Sequence, residues 1–323
     1  MTNVLNGIPL KYKGLPEDIA REIWSYEDSY FCNDLPIPFK GLNIYPVLMK
    51  DYNIFSAVID CCTLNKNLDA KGITKTHLDY LCSLFEDNGP SGKLWLTKFT
   101  KLIELSFHVK NGLKCKKCGK VISYTEYQEK VIQNIEKLKE EKKQVDLNNL
   151  PPVACEECGG EEFSENILIR KDEKTKKYLL EIDGVKISCE DFNRLRQIIV
   201  FQNFPDYRDE SWVHPQLRKE QEKKREILAR QSGAGEANLE KKKIGVAVGL
   251  HYKLEDIDKL PIRKFLLLFS TMDDLIEYKI IKLGRMAGLV SSKDPMEHWL
   301  YKKEKSLYGE AVSLDSYVNK FKG

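Results

Sequence analysis

No apolar run in this 323-residue chain approaches the ~20 residues needed to cross a bilayer. The most apolar stretch, Leu260 to Phe269, is far too short, which excludes a spanning helix there. Net charge is nearly missing as well: 52 Lys and Arg stand against 49 Asp and Glu, leaving +3. A dedicated nucleic-acid binder usually shows a clear basic excess; only a local patch would fit here. Histidine is scarce, at five residues. His77, His108, His214, His251 and His298 are scattered, and no two stand at metal-ligand spacing. Gly-x-Ser-x-Gly, the phosphate-binding Gly-x-x-x-x-Gly-Lys and His-Glu-x-x-His are all absent. The chain is therefore expected not to be an enzyme. The opening MTNVLNGIPLKYKG lacks a charged start followed by an apolar run, so no signal peptide is expected.

Cysteine is better represented, with nine residues, and four of them form the strongest motif. Cys115-Lys-Lys-Cys118-Gly and Cys155-Glu-Glu-Cys158-Gly are matched knuckles, each a Cys-x-x-Cys pair followed by glycine. That spacing lets two thiolates from one tight turn reach the same metal. Two such turns close a four-thiolate zinc site with no open position, so the expected Zn2+ is structural rather than catalytic. The remaining cysteines, Cys32, Cys61, Cys62, Cys82 and Cys189, show no framework spacing and are expected to be buried free thiols. Reduced thiols and thiolate zinc both suit a cytoplasmic compartment.

With 42% apolar residues the chain can bury at least one sizeable core. Leu15-Pro16-Glu17-Asp18 opens a helix whose stripe would be Ile19, Ile23, Trp24 and Tyr30. Leu35 to Val47 holds three prolines and Gly41, and reads as a Pro-rich arm, a Gly turn and a strand or edge hairpin. Tyr52, Phe55, Val58 and Ile59, then His77, Leu78, Leu81 and Leu84, recur at helical spacing, as do apolar residues from Leu94 to Val109. The interval 119–154 between the knuckles exceeds the roughly 15–20 residues of a compact ribbon. A helical insertion over Tyr124 to Lys143 accounts for the excess. Ile167–Ile169, Tyr178–Ile182 and Val185–Ile187 read as strands, with Asp183-Gly184 a two-residue hairpin turn. Ser188 with Asp191 forms a capping box for a helix burying Phe192, Leu195, Ile198, Ile199 and Phe201. Apolar stripes then run through Leu239–Leu250, Leu254–Leu260, Pro261–Leu268 and Met272–Met286.

The expected fold is α+β and mostly α. An N-terminal arm, short strands and helical domain would span 1–112. A zinc ribbon with helical insertion and small antiparallel sheet would span 113–188. A helical C-terminal domain would span 189–323, with a charged hinge segment near 215–237.

Several surfaces compete for function. Lys114, Lys116, Lys117 and Lys120 around the first knuckle could meet phosphates, but Glu156, Glu157, Glu161 and Glu162 surround the second and would cancel them. Gly245 to Leu260 outlines a helix-turn-helix, yet its second helix offers Glu255, Asp256 and Asp258, the wrong sign for DNA. An ordinary helical hairpin is the better reading. The mixed-charge stretch Pro215–Gln231, followed by Gly233-Ala-Gly235, reads as a solvated helix and hinge with a possible partner role. Tyr207, Trp212 and His298-Trp299 with Tyr301 are candidate contact aromatics.

The stretch Leu35-Pro-Ile-Pro-Phe-Lys-Gly41-Leu-Asn-Ile-Tyr-Pro46, leading into Lys50-Asp51-Tyr52, resembles the opening of tail and baseplate assembly proteins of contractile-tailed bacteriophages. Phe192-Asn-Arg-Leu-Arg196, Gln202-Asn203-Phe-Pro-Asp-Tyr207-Arg-Asp209, Phe265 and His298-Trp-Leu300 are similar to proteins of large phages of Gram-positive hosts. The four-cysteine ribbon departs from the smaller hub-assembly proteins of that family. The resemblance implies a hub-assembly-like protein that binds other tail or baseplate proteins within a hetero-oligomer. Its location would be the host cytoplasm during assembly, or the virion. The alternative is a zinc-ribbon nucleic-acid-binding regulatory protein.

Overall fold

A computed structural model describes residues 4–5, 8–12, 14–70, 72–86, 89–140, 152–173, 175–209, 220, 223–224, 227, 238–289 and 298. The charged stretch 215–231 (those four positions apart), the Gly233-Ala-Gly235 hinge, His214, Trp212, Trp299 and Tyr301 lie outside these residues. The described chain is mostly helical with small antiparallel sheets. None of its helices is long and apolar enough to cross a membrane.

Two short strands, β1 (Val4–Leu5) and β2 (Ile8–Pro9), precede helix α1 (Glu17–Tyr26). Pro16 is the residue before α1, and Glu17 and Asp18 sit in its first turn, at the positive end of the helix dipole. Ile19, Ala20 and Ile23 are its buried face. Trp24, expected in that stripe, is instead exposed. The Pro-rich arm is folded inward as the hairpin β3 (Ile37–Phe39) and β4 (Leu42–Ile44). Pro38 points out while Ile37, Phe39 and Ile44 are buried, and Lys40 and Gly41 make the turn at φ 51° and 87°. Helices α2 (Tyr52–Val58), α3 (Asp60–Thr63), α4 (His77–Phe85) and α5 (Pro90–Phe107) follow.

After α5 the chain makes the ribbon, β5 (Leu113–Cys115), β6 (Val121–Ile122), α6 (Tyr124–Glu140) and β7 (Phe163–Glu165), ordered β6-β5-β7. A second sheet, β8 (Ile167–Lys171), β9 (Tyr178–Ile182) and β10 (Val185–Ile187), comes next. Its β9–β10 turn is Asp183-Gly184, with φ 53° and 85°, the left-handed pair that a two-residue hairpin demands. Then come α7 (Cys189–Asn203), α8 (Leu239–Leu250), α9 (Leu254–Ile257) and α10 (Ile262–Met286). The stripes read separately over Pro261–Leu268 and Met272–Met286 belong to one helix. Ser270 does not break it, because its hydroxyl bonds back to the Leu267 carbonyl at 3.2 Å.

The core sits around α7, which packs against α1, α3, α4 and α10. Phe192, Leu195, Ile198, Ile199 and Phe201 are buried, each worth roughly 1.5–3 kcal/mol over exposure. Two of its buried amides tie it to the arm: Asn203 Oδ1 accepts from the Val47 N–H at 2.9 Å, and Gln202 Nε2 donates to the Ile44 carbonyl at 3.1 Å. The border expected at 189 therefore falls inside a core and not between two. Leu180, Ile182 and Ile187 bury the second sheet in the same cluster, as do Val246, Ile257, Ile262 and Phe265 from the C-terminal helices. Those helices are also tied on by backbone: Met49 N–H to Leu260 O at 2.8 Å and Ile262 N–H to Val47 O at 2.8 Å. Segments before and after the ribbon thus build one core, and the ribbon is an excursion from it.

Candidate metal centre

The site begins with backbone geometry. In each knuckle the glycine after the second cysteine takes a left-handed conformation, Gly119 at φ 79° and Gly159 at φ 66°. This turns their N–H groups back onto the first cysteine's carbonyl, Gly119 to Cys115 at 2.9 Å and Gly159 to Cys155 at 2.8 Å. A second bond closes each turn, Cys115 N–H to Lys120 O and Cys155 N–H to Gly160 O, both at 2.8 Å. The two knuckles are built alike, and each aims both sulfurs to one side.

The four sulfurs converge. Cys115 Sγ lies 3.6 Å from Cys158 Sγ, and Cys118 Sγ lies 3.5 Å from Cys155 Sγ. All four lie within 4.8 Å of one another. A tetrahedron with Zn–S bonds of about 2.3 Å has sulfur–sulfur edges of about 3.8 Å. The separations fit that and are far from the ~2.05 Å of a disulfide. Gly160 completes the cradle: a Cβ there would stand 3.1 Å from Cys115 Sγ and 3.3 Å from Cys158 Sγ. Its N–H also donates to Cys158 Sγ at 3.4 Å. The residues present fit a four-thiolate Zn2+, which would cross-link the ends of the 119–154 excursion.

Among themselves the sulfurs hold protons unequally. The Cys118 backbone N–H stabilises the Cys115 thiolate and brings its pKa down to about 7. The Glu157 N–H does the same for Cys155, lowering it. At Cys118 the Lys120 N–H pulls down, but the thiols of Cys158 and Cys155 outweigh it and push the pKa up to about 12. Zinc takes thiolate ligands, so its binding would release the protons that sulfurs such as Cys118 hold.

Around the metal set, the lysines are occupied. Lys116 pairs with Glu162 at 3.1 Å, Lys120 with Glu157 at 3.2 Å, and Lys114 with Asp183. Lys117 donates to the Cys158 carbonyl at 3.0 Å. The acidic knuckle thus neutralises the basic one at contact distance, as the charge pattern implied. Sequence reasoning missed Lys130, which reaches from α6 to Glu156 at 3.0 Å, while Tyr127 stacks edge-on against Phe163 at 5.7 Å. The only hint was the helical spacing of 124–143. Gly160 was visible as the second of two glycines after Cys158.

The other candidates separate. Cys61, Cys62, Cys82 and Cys189 are buried, and burial pushes the Cys61 thiol up to about 12; Cys32, by contrast, is exposed. Tyr207 is no free contact aromatic but packs edge-on against Phe201 at 5.3 Å. His298 lies 5.2 Å from Tyr278. The helix-turn-helix outline fails because α9 is a single turn, too short to lie in a groove. No family model, no characterised protein and no solved structure matches the chain.

Proposed function

We propose that this chain is a structural or assembly protein of a phage contractile tail or baseplate, acting through protein–protein contacts and stapled by a structural zinc. The phage assignment rests on the sequence resemblance. The protein–protein part rests on one observation, the exposed apolar face of α10. Ile276, Ile280, Leu283 and Met286 repeat at helical spacing along it and, with Leu289 just past its end, are all exposed. Scattered apolar residues need no explanation, but a contiguous stripe of this kind marks an interaction surface. The pairing of Lys114, Lys116 and Lys120 with acids weighs against the nucleic-acid alternative, since phosphates would have to displace those partners. The same pairing supports a non-catalytic ribbon.

The test is sedimentation with gradient-purified tails, together with affinity capture of tail proteins from infected cells. Association is expected in one of the two, and Ile280→Asp with Leu283→Asp should abolish it while leaving the fold intact. Association in neither, combined with DNA binding that falls steeply with salt and flattens in Lys116→Gln/Lys117→Gln, would replace this reading by the nucleic-acid one.

A further inference from the structure

A cleft of about 180 Å³ is lined by the loop Thr63 to Asn67, by His77 at the start of α4, by Arg196 of α7, and by Tyr207 to Asp209. Two of its cations are poorly compensated. Lys66 Nζ donates only to neutral oxygens, Asn67 Oδ1 at 3.2 Å and the carbonyls of Gly72 and Ile73 at 3.1 Å each. Among the described residues no carboxylate pairs with it. Arg196 donates from Nη1 to the Cys62 carbonyl at 2.9 Å, and its Nε is buried with no acceptor. Its Nη2 makes only a long ion pair with Asp209, at 3.8 Å and beyond hydrogen-bond reach, and that carboxylate also accepts from Gln197 Nε2 at 2.8 Å.

The two cations also feel each other. Burial, and then the Arg196 charge, lower the Lys66 pKa, as expected of like charges held close together. His77 adds no charge: burial and then the Arg196 charge hold it neutral, although its Nε2 bonds the Cys61 carbonyl at 2.9 Å, which favours the charged form. Buried guanidinium donors without acceptors are costly. Arg196 lines this polar cleft, and an oxyanion there would add the acceptor its guanidinium lacks.

We propose that this cleft binds a phosphate-type oxyanion between Lys66 and Arg196. Its volume lies below the ~300–1,000 Å³ of sites that hold drug-sized ligands, which fits a single phosphate group and not a whole nucleotide. The group could be free phosphate or the phosphate of a small ester. The proposal is independent of the assembly reading, since it uses none of the residues of α10 or the ribbon.

The test is binding of inorganic phosphate to the full chain by calorimetry, against chloride at matched ionic strength. Saturable binding is expected in the wild type and in Lys120→Gln, a ribbon control. Lys66→Met should weaken it by roughly tenfold or more, the loss of one charge-assisted contact. Arg196→Gln should do the same where circular dichroism shows a native fold; Lys66→Met carries the test where it does not. A phosphate monoester binding more tightly than inorganic phosphate would assign the group to a small molecule, and the reverse order to the free ion; both support the site. Absence of saturable binding to either probe in the wild type, or unchanged affinity in Lys66→Met, overturns it.

Discussion

His77 shows how much one side chain can set. Burial strips water from the imidazole and Arg196 repels its charged form, so its pKa falls from the ordinary 6.5 to about 3. The unfolded chain takes up a proton near pH 6.5, whereas the folded chain refuses it until about pH 3. Its contribution is therefore complete above pH 6.5 and is lost progressively as pH falls towards 3, on the order of 1 kcal/mol per pH unit. Urea midpoints between pH 7.5 and 5.5 should fall more steeply for the wild type than for His77→Gln, which cannot take the proton. Equal slopes would mean that His77 is not held neutral. Gly160 is as sensitive sterically. Gly160→Ala places a Cβ against Cys115 and Cys158 and should lower zinc affinity in a chelator competition, while the same change at Gly245 in α8, which meets only Met272 at 3.7 Å, should not. At this scale the sequence was partly legible. The cysteines announced themselves because metal geometry fixes their spacing. Trp24 did not, because periodicity places residues on a helix face without saying how wide the neighbouring contact is. The cleft residues were invisible, since Lys66, His77, Arg196 and Asp209 meet only through the fold.

Secondary-structure elements follow local chemistry most faithfully where their ends are marked. Ser188 accepts from the Asp191 N–H at 3.2 Å, and Asp191 accepts from the Ser188 N–H at 3.0 Å, the reciprocal pair read from the sequence. Asp191 also pairs with Lys40 in the β3–β4 turn, so this cap ties the arm to the central helix. Ser188→Ala should cost about 1 kcal/mol, read as a lower urea midpoint with unchanged slope; no change would show that the cap is redundant. The Asp183-Gly184 turn and the α6 insertion were legible for the same reason, as short-range signals. The partners of α7 were not. Phe192 to Phe201 carry an amphipathic pattern that states burial but not against what, and the answer lies in α1, α3 and α4, encoded far earlier in the chain.

For the whole molecule the decisive feature is how the ribbon joins the core. Asn166 donates its backbone N–H to the Gly112 carbonyl at 3.1 Å and its amide to the Lys110 carbonyl at 2.7 Å. Entry and exit of the excursion are thus pinned side by side, and the core closes without it. Structural zinc contributes folding free energy, with apparent values of about 10–16 kcal/mol. Removing it should melt the ribbon and leave the core transition standing. Hydrogen exchange after chelation should therefore show lost protection in β5, β6 and β7 and retained protection in α7; simultaneous loss in both would make ribbon and core one cooperative unit. The most direct test of the central claim is zinc content under reducing, zinc-replete conditions, by native mass spectrometry of the full chain. One zinc per chain is predicted in the wild type, with marked loss in Cys115→Ser and in Cys158→Ser. A metal-free wild type, or full zinc retention in either variant, would contradict the four-thiolate centre.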